Sequence, residues 1–143
     1  MLGMHLTLDF YSCNRKQISD AELILDILNE LPDLIGMRKI SSPQITDYPG
    51  NPKSFDKGGI SGFVLIATSH ITIHTFIKQE FASIDIFSCK KFDVKMAESF
   101  LAKRFEPKKI ERHVINRGME FPKDVIKAKE IVIKSRKKVP SFS

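Results

Sequence analysis

Six side chains able to do chemistry fall within one β-rich stretch, Gly58 to Cys89: Ser61, Ser69, His70, His74, Asp85 and Cys89. They are set into GGISGFVLIATSHITIHTFIKQEFASIDIFSC, the least polar part of a basic chain. Hydroxyls, imidazoles and a thiol among Ile, Val, Leu and Phe describe a site held on rigid strands. Taken singly, each residue has an ordinary structural explanation. Ser61 between glycines is a turn hydroxyl, His74 a hydrogen-bonded or surface imidazole, Cys89 a small buried hydrophobe. A Ser/His/Cys hydrolase is not indicated, because there is no nucleophile elbow and no identifiable acidic partner. Zinc is not indicated either, because the cysteines form no CxxC pair.

The elements that must position these residues follow from periodicity. Met4 to Phe10 alternates His5, Thr7, Asp9 against Leu6, Leu8, Phe10, a half-buried strand. Ser19-Asp20-Ala21-Glu22 reads as a capping box, followed by the apolar helical stripe Ile24, Ile27, Leu28, Leu31. Pro32 and Gly36 punctuate its end. Met37 to Tyr48 reads as a strand interrupted by Pro43, and Tyr48 to Gly59 as the main loop. The apolar run Gly62 to Ala67 is expected to be a central strand, covered on one or both faces. Ile71 and Ile73 alternate with Thr72 and His74, and Phe81 to Cys89 alternates again. Asp93 is placed to cap a second helix bearing Ala97, Phe100 and Leu101, which Pro107 ends; Lys108 to Arg117 is a last strand.

Strand, helix, several strands, helix, strand, with hairpin-length links, predicts an α+β fold. It would be an antiparallel sheet with helices packed on one face, a two-layer sandwich. The other face then needs a cover, and a partner sheet in a homodimer supplies it. At 143 residues and 42% hydrophobic, the chain suits one folded domain. No run approaches the roughly 18 apolar residues of a membrane span, MLGMHLTLDF lacks a basic secretory region, and two distant cysteines build no disulfide framework. A cytoplasmic protein is expected. The net charge of +6 is concentrated at Lys123 to Lys138, with seven Lys/Arg against two acids. Without aromatic interleaving, residues 121–143 read as a solvated basic tail on a 1–120 domain, with no specific nucleic acid as partner.

Joint spacing changes the single-residue readings. Gly59-Ile60-Ser61-Gly62, Ser69-His70, Ile73-His74-Thr75-Phe76 and Asp85-Ile86-Phe87-Ser88-Cys89 resemble the pattern GxSG…ESHxxIHTWPE…xDxFTC of the S-adenosylmethionine decarboxylase family, in its short prokaryotic form. The intervals Ser61 to Ser69, Ser69 to His74 and His74 to Cys89 match without a gap. The resemblance covers most of the chain and leaves out the basic tail.

The resemblance implies a self-processing proenzyme cut between Thr68 and Ser69. Ser69 would become a covalent pyruvoyl group that forms a Schiff base with S-adenosylmethionine; no metal and no pyridoxal phosphate take part. By the same resemblance His74 is the proton acceptor in processing, Ser61 assists it, and Cys89 is the proton donor in decarboxylation. Phe55, and less closely Tyr11, match aromatic residues that stack on adenine. The product serves spermidine and polyamine synthesis. A regular strand would put Ser69 and His74 on opposite faces, so a bend near Thr68-Ser69 is expected. Two residues depart from the pattern. Thr68 replaces the usual Glu, and Lys78 replaces a carboxylate that holds the ribose. Lys78 only donates hydrogen bonds, so Glu80, two residues on, is expected to substitute. The alternatives are an arginine or ornithine decarboxylase of the same family and a non-cleaving binding homologue.

Overall fold

A computed structural model describes residues 1–138, apart from the Lys127 and Lys138 side chains. Its elements are β1 (Gly3–Tyr11), α1 (Arg15–Ile18), α2 (Ala21–Leu34), β2 (Gln44–Tyr48), β3 (Gly59–Ile66), β4 (Ser69–Phe76), β5 (Phe81–Ser88), α3 (Val94–Phe105), β6 (Lys109–Arg117) and α4 (Val125–Lys138). The strands form one antiparallel sheet in the order β2-β3-β4-β5-β1-β6. Hairpins join β3, β4 and β5, and β1 inserts between β5 and β6.

Alternation along each strand gives the sheet two unlike faces. One buries Leu6, Leu8 and Phe10 of β1, Val64 and Ile66 of β3, Ile71 and Ile73 of β4, and Ala82, Ile84 and Ile86 of β5. Ile18 of α1, the α2 stripe Ile24, Ile27, Leu28, Leu31, and Ala97, Leu101, Phe105 of α3 complete that core. Each large apolar side chain withdrawn from water here contributes roughly 1.5–3 kcal/mol. This is the expected α+β two-layer sandwich. Gly62 sets how closely α2 approaches: a Cβ there would lie 2.6 Å from Ile45 Cδ1 and 2.9 Å from Leu28 Cδ1.

Among the described residues, the core residues contributed by α1, α2 and α3 all lie on the first face, and the other face is the more open one. The apolar run of β3 is covered on one side only, and its outward Phe63 and Leu65 are 38% and 43% exposed. Several boundaries differ from expectation. The cap of α2 is Asp20, whose carboxylate accepts from Leu23 N at 3.1 Å. Ser19 instead donates to Lys16 O at the end of α1, a single turn that hydrophobic periodicity is too coarse to reveal. Pro32 lies inside α2 rather than at its end. The segment from Met37 pairs only through a bridge between Lys39 and Ile66, and regular pairing starts at Gln44, after Pro43. Asp93 caps α3 through Met96 N, as expected. Part of the tail is helical (α4), and residues 139–143 lie outside the described residues.

Leu28 and Leu25 test this layering on one helix, since Leu28 is fully buried and Leu25 is 36% exposed. Leu28→Ala should lower unfolding free energy in urea by about 2–5 kcal/mol. Leu25→Ala should stay within about 0.5 kcal/mol of wild type. Equal losses would contradict the packing of α2.

Candidate active site

The β3–β4 hairpin closes through a two-residue turn, Ala67-Thr68, because Ile66 pairs with Ser69. Thr68 sits in the left-handed region at φ 53°. A β-branched residue there is strained, at a cost on the order of 1–3 kcal/mol. Its neighbours hold it. The Thr68 hydroxyl donates to Ala67 O at 2.7 Å and lies 3.3 Å from Cys89 Sγ. The Cys89 thiol donates to the Thr68 carbonyl at 3.2 Å, and Cys89 N donates to Ser69 Oγ at 2.9 Å. The peptide joining Thr68 to Ser69 is thus met on both sides by one residue.

Cys89 is presented by the end of β5. The buried Ser88 hydroxyl donates to Lys90 O at 2.6 Å and accepts from Lys90 N at 3.0 Å, fixing a tight turn. Strand pairing ends at Ser88, which frees Cys89 from the alternation expected to run through it. Cys89 is half-buried and free, whereas Cys13 is buried and burial pushes its thiol up to about 11.

His74 and Ser61 are cross-strand partners on the open face and share a hydrogen bond of 2.7 Å between Oγ and Nδ1. They are not beside Ser69. β4 is regular from Ser69 to Phe76, so five residues at about 3.3 Å each put His74 roughly 16 Å along the strand and on the opposite face. The expected bend is present as the Thr68 turn, but it does not bring Ser69 and His74 together in one chain.

The open face also bears a network that motif reading passed over. His5 Nε2 donates to Asp85 Oδ1 at 2.9 Å, and the Thr72 hydroxyl lies 3.5 Å from Asp85 Oδ2. His70 packs against His5 and Phe87. Burial, then the His5 charge, pushes the His70 imidazole below its ordinary range, so it is neutral at pH 7. The register of β1 against β5, which pairs Thr7 with Asp85, brings these residues together.

Tyr11 and Phe55 line one pocket of about 330 Å³ with Phe76, Gln79 and Phe81. Phe76 pairs with Phe81 across the β4–β5 hairpin, and Tyr11 meets the Phe81 ring edge to face at 5.1 Å. The alternating parity of Phe76, Phe81 and Tyr11 was the available signal. Glu80 is absent from this lining. It occupies the left-handed end of the 77–80 turn and pairs with Arg15 at 3.1 Å. Strand parity does not extend past Phe76, where the backbone reverses, so parity does not bring Glu80 to this face. Gln79 reaches the pocket instead, donating to the Phe55 carbonyl. Among the described residues, no three or more His, Cys, Asp or Glu side chains are grouped to hold a metal ion, and no helix is long and apolar enough to cross a membrane.

A strained turn whose Thr68 carbonyl meets the Cys89 thiol and whose Ser69 hydroxyl meets the Cys89 amide, on a one-sided α+β sandwich, is the candidate site. Comparison with known proteins shows the family. Residues 4–118 match the family model described as S-adenosylmethionine decarboxylase. The S-adenosylmethionine decarboxylase proenzyme of Clostridium botulinum strain Hall is 33% identical over 117 residues, covering 81% of this chain and 94% of that protein. The proenzyme of the same name from Archaeoglobus fulgidus is 29% identical over 119 residues, covering 82% and 99%. The crystal structure of adenosylmethionine decarboxylase from Aquifex aeolicus superposes with a TM-score of 0.69 at 27% identity, covering 86% of this chain and 95% of that one. The chain belongs to the S-adenosylmethionine decarboxylase family.

The unlike thiols give a direct check on the site's accessibility. In native protein at about pH 8, near the ordinary range of a free thiol, iodoacetamide should label Cys89 and spare Cys13. Unfolding in denaturant should expose both. Labelling of Cys13 in the folded Cys89→Ala protein would contradict the burial described.

Proposed function

We propose that this chain is an S-adenosylmethionine decarboxylase that makes its own pyruvoyl group by cutting itself between Thr68 and Ser69. The observation that carries the proposal is the meeting of the Thr68 carbonyl, the Ser69 hydroxyl and Cys89 at one strained turn. In processing, Ser69 Oγ attacks the Thr68 carbonyl carbon. The C–N bond breaks as the Cβ–O–C ester forms, and the proton passes to the freed Ser69 amine. A base then removes the Ser69 α-proton, and the Cβ–O bond breaks with the Thr68 carboxylate as leaving group. Tautomerisation and hydrolysis of the resulting enamine release ammonia and leave the keto group. The thiol hydrogen bond to the Thr68 carbonyl favours the first step by stabilising charge that develops on that oxygen.

The residues at the turn suit the group they would generate, since Ser69 supplies its three carbons in place. When formed, the pyruvoyl group supplies an electron sink for carboxylate loss. Cys89, in contact with the Thr68 carbonyl oxygen and the Ser69 hydroxyl, returns a proton to the substrate α-carbon. His74, paired with Ser61, is the processing base. Because it lies far from Ser69 on the same chain, the proposal requires a homodimer in which a second copy brings its Ser61–His74 pair to this turn. The unpartnered open face, with Phe63 and Leu65 outward, is the surface available for that contact. The reaction unit is residues 1–120, with 121–143 as a basic appendage. A reducing, cytoplasmic setting keeps Cys89 free for its role.

The flat pocket of Tyr11, Phe55, Phe76 and Phe81 suits a purine ring. It offers no carboxylate to the guanidinium of arginine or the second amine of ornithine, which disfavours those substrates. Gln79, rather than Glu80, is the polar residue placed to meet the nucleoside. The decarboxylated product carries the aminopropyl group used in spermidine synthesis.

Intact-mass measurement tests the proposal. Purified protein should separate into residues 1–68 and a pyruvoyl-started 69–143, and Ser69→Ala should stay whole. An intact wild-type chain after prolonged warm incubation would refute self-processing. His74→Ala alone should also stay whole. Coexpressed with Ser69→Ala it should be cut, because the second copy restores the base; no cutting in that mixture would reject the shared site.

Cys89→Ala separates processing from turnover. It should still cleave, but decarboxylate S-adenosylmethionine about 10²-fold more slowly or worse. Wild-type turnover would remove Cys89 from catalysis. Robust turnover of arginine or ornithine without S-adenosylmethionine would replace the substrate assignment.

A further inference from the structure

The α4 helix lies beyond the family match, which ends at residue 118, and nothing in the mechanism uses it. Its outward face is unusual for a helix in water. Val125 and Val132 form one row and Ile126 and Ile133 another, at 73%, 46%, 72% and 56% exposure. Between these rows lie Lys129 and Arg136, also exposed. The order apolar, cationic, apolar follows from the i, i+4 and i, i+7 spacing of a helix.

This interleaving selects among partners. A helix that lies on a lipid surface segregates cations from apolar residues, so that one side enters the acyl region. Here the cations run down the middle of the apolar strip. A nucleic-acid phosphate backbone would use the cations but leave four β-branched side chains in water. The strip calls for a partner with acids along a central line and apolar residues to either side.

The outer face of α2 has that arrangement. Glu22, Asp26 and Asp33 run along its centre, with Leu25 and Leu34 flanking at 36% and 40% exposure. No Lys or Arg occurs between Lys16 and Arg38 in the sequence; Lys39 reaches this face only to bond Asn29, and Glu22, Asp26 and Asp33 remain exposed acids on an otherwise basic chain. Glu30, at its margin, is engaged by Arg104. We propose that the outer face of α4 docks on the outer face of α2 in a second copy of this chain. Two copies related by a two-fold axis can make the contact reciprocally, which closes the assembly. The contact uses the side of α2 away from the sheet. It is therefore compatible with, and independent of, pairing through the open sheet face, and joins such dimers into larger assemblies. Two 14-residue helices make a small interface with exposed charges, so the association is weak and sensitive to salt.

Full-length protein is the material for the test, by sedimentation equilibrium at about 50 mM and about 500 mM salt, where screening lengths differ roughly threefold. Wild type should show twice the mass of K129E/R136E at low salt and the same mass at high salt. D26K/D33K, on the opposite face, should lose the larger species equally. The four substitutions combined should regain it, which a folding defect or a loss of general basicity would not allow. I133D should weaken the association at least tenfold without changing net self-cleavage. Equal masses for wild type and K129E/R136E at low salt would overturn the proposal. So would binding to anionic phospholipid vesicles or to single-stranded RNA that K129E/R136E abolishes while leaving the mass unchanged.

Discussion

The period of two along β4 is the constraint on which the rest of the molecule depends. It sends Ser69, Ile71 and Ile73 toward the helices, and His70, Thr72 and His74 toward the open face. The apolar set fixes the register, since a one-residue slip would expose Ile71 and Ile73 and bury two imidazoles. With the register fixed, the Thr68–Ser69 turn and the Ser61–His74 pair fall at opposite ends of the same hairpin, with Ser69 and His74 on opposite faces. One chain cannot bring them together without breaking its own core. Under the proposed function, the need for a second copy is thus a consequence of strand geometry and does not require any flexible element.

The turn itself shows how strain is held in place. Thr68 is a poor residue for the left-handed region, where Gly or Asn would be relaxed. The bonds that hold it there come from Cys89, which is itself fixed by the Ser88–Lys90 turn. The same contacts bring a weak acid to the carbonyl and an amide donor to the hydroxyl. Under the proposed function, cleavage releases this strain once. The thiol then remains at the new chain terminus, where a proton donor is required.

Much of this was legible from sequence because the signals are local. The α2 stripe, the Asp93 cap and the alternation of β1, β4 and β5 report directly on burial, and each is found in the structure. The motif spacing located the turn and its cysteine without showing that they touch. What failed were inferences that assumed continuity across a boundary. Ser19 was read as a cap because the short α1 before it leaves no periodic signature. Glu80 was assigned by strand parity across a reversal. The Asp85 network was not legible because it depends on β1 meeting β5, a pairing of residues 80 apart that no local pattern encodes.

The same long-range register decides where the aromatic pocket, the proposed nucleoside site, forms. The aromatic pocket gathers at the end of the sheet where Tyr11, Phe76 and Phe81 meet. Cys89 lies just past the other end of β5, whose eight residues span roughly 23 Å at strand rise. A nucleoside stacked in that pocket leaves its reacting carbon far from the same chain's thiol. A second copy facing the open sheet in antiparallel fashion would bring its aromatic end toward the first copy's turn, together with Ser61 and His74, which lie one row away from Phe76. The proposed processing base and the aromatic pocket therefore travel together. Under the proposed function, a single contact between open faces in that antiparallel sense would answer both the chemistry of cleavage and the reach of the substrate.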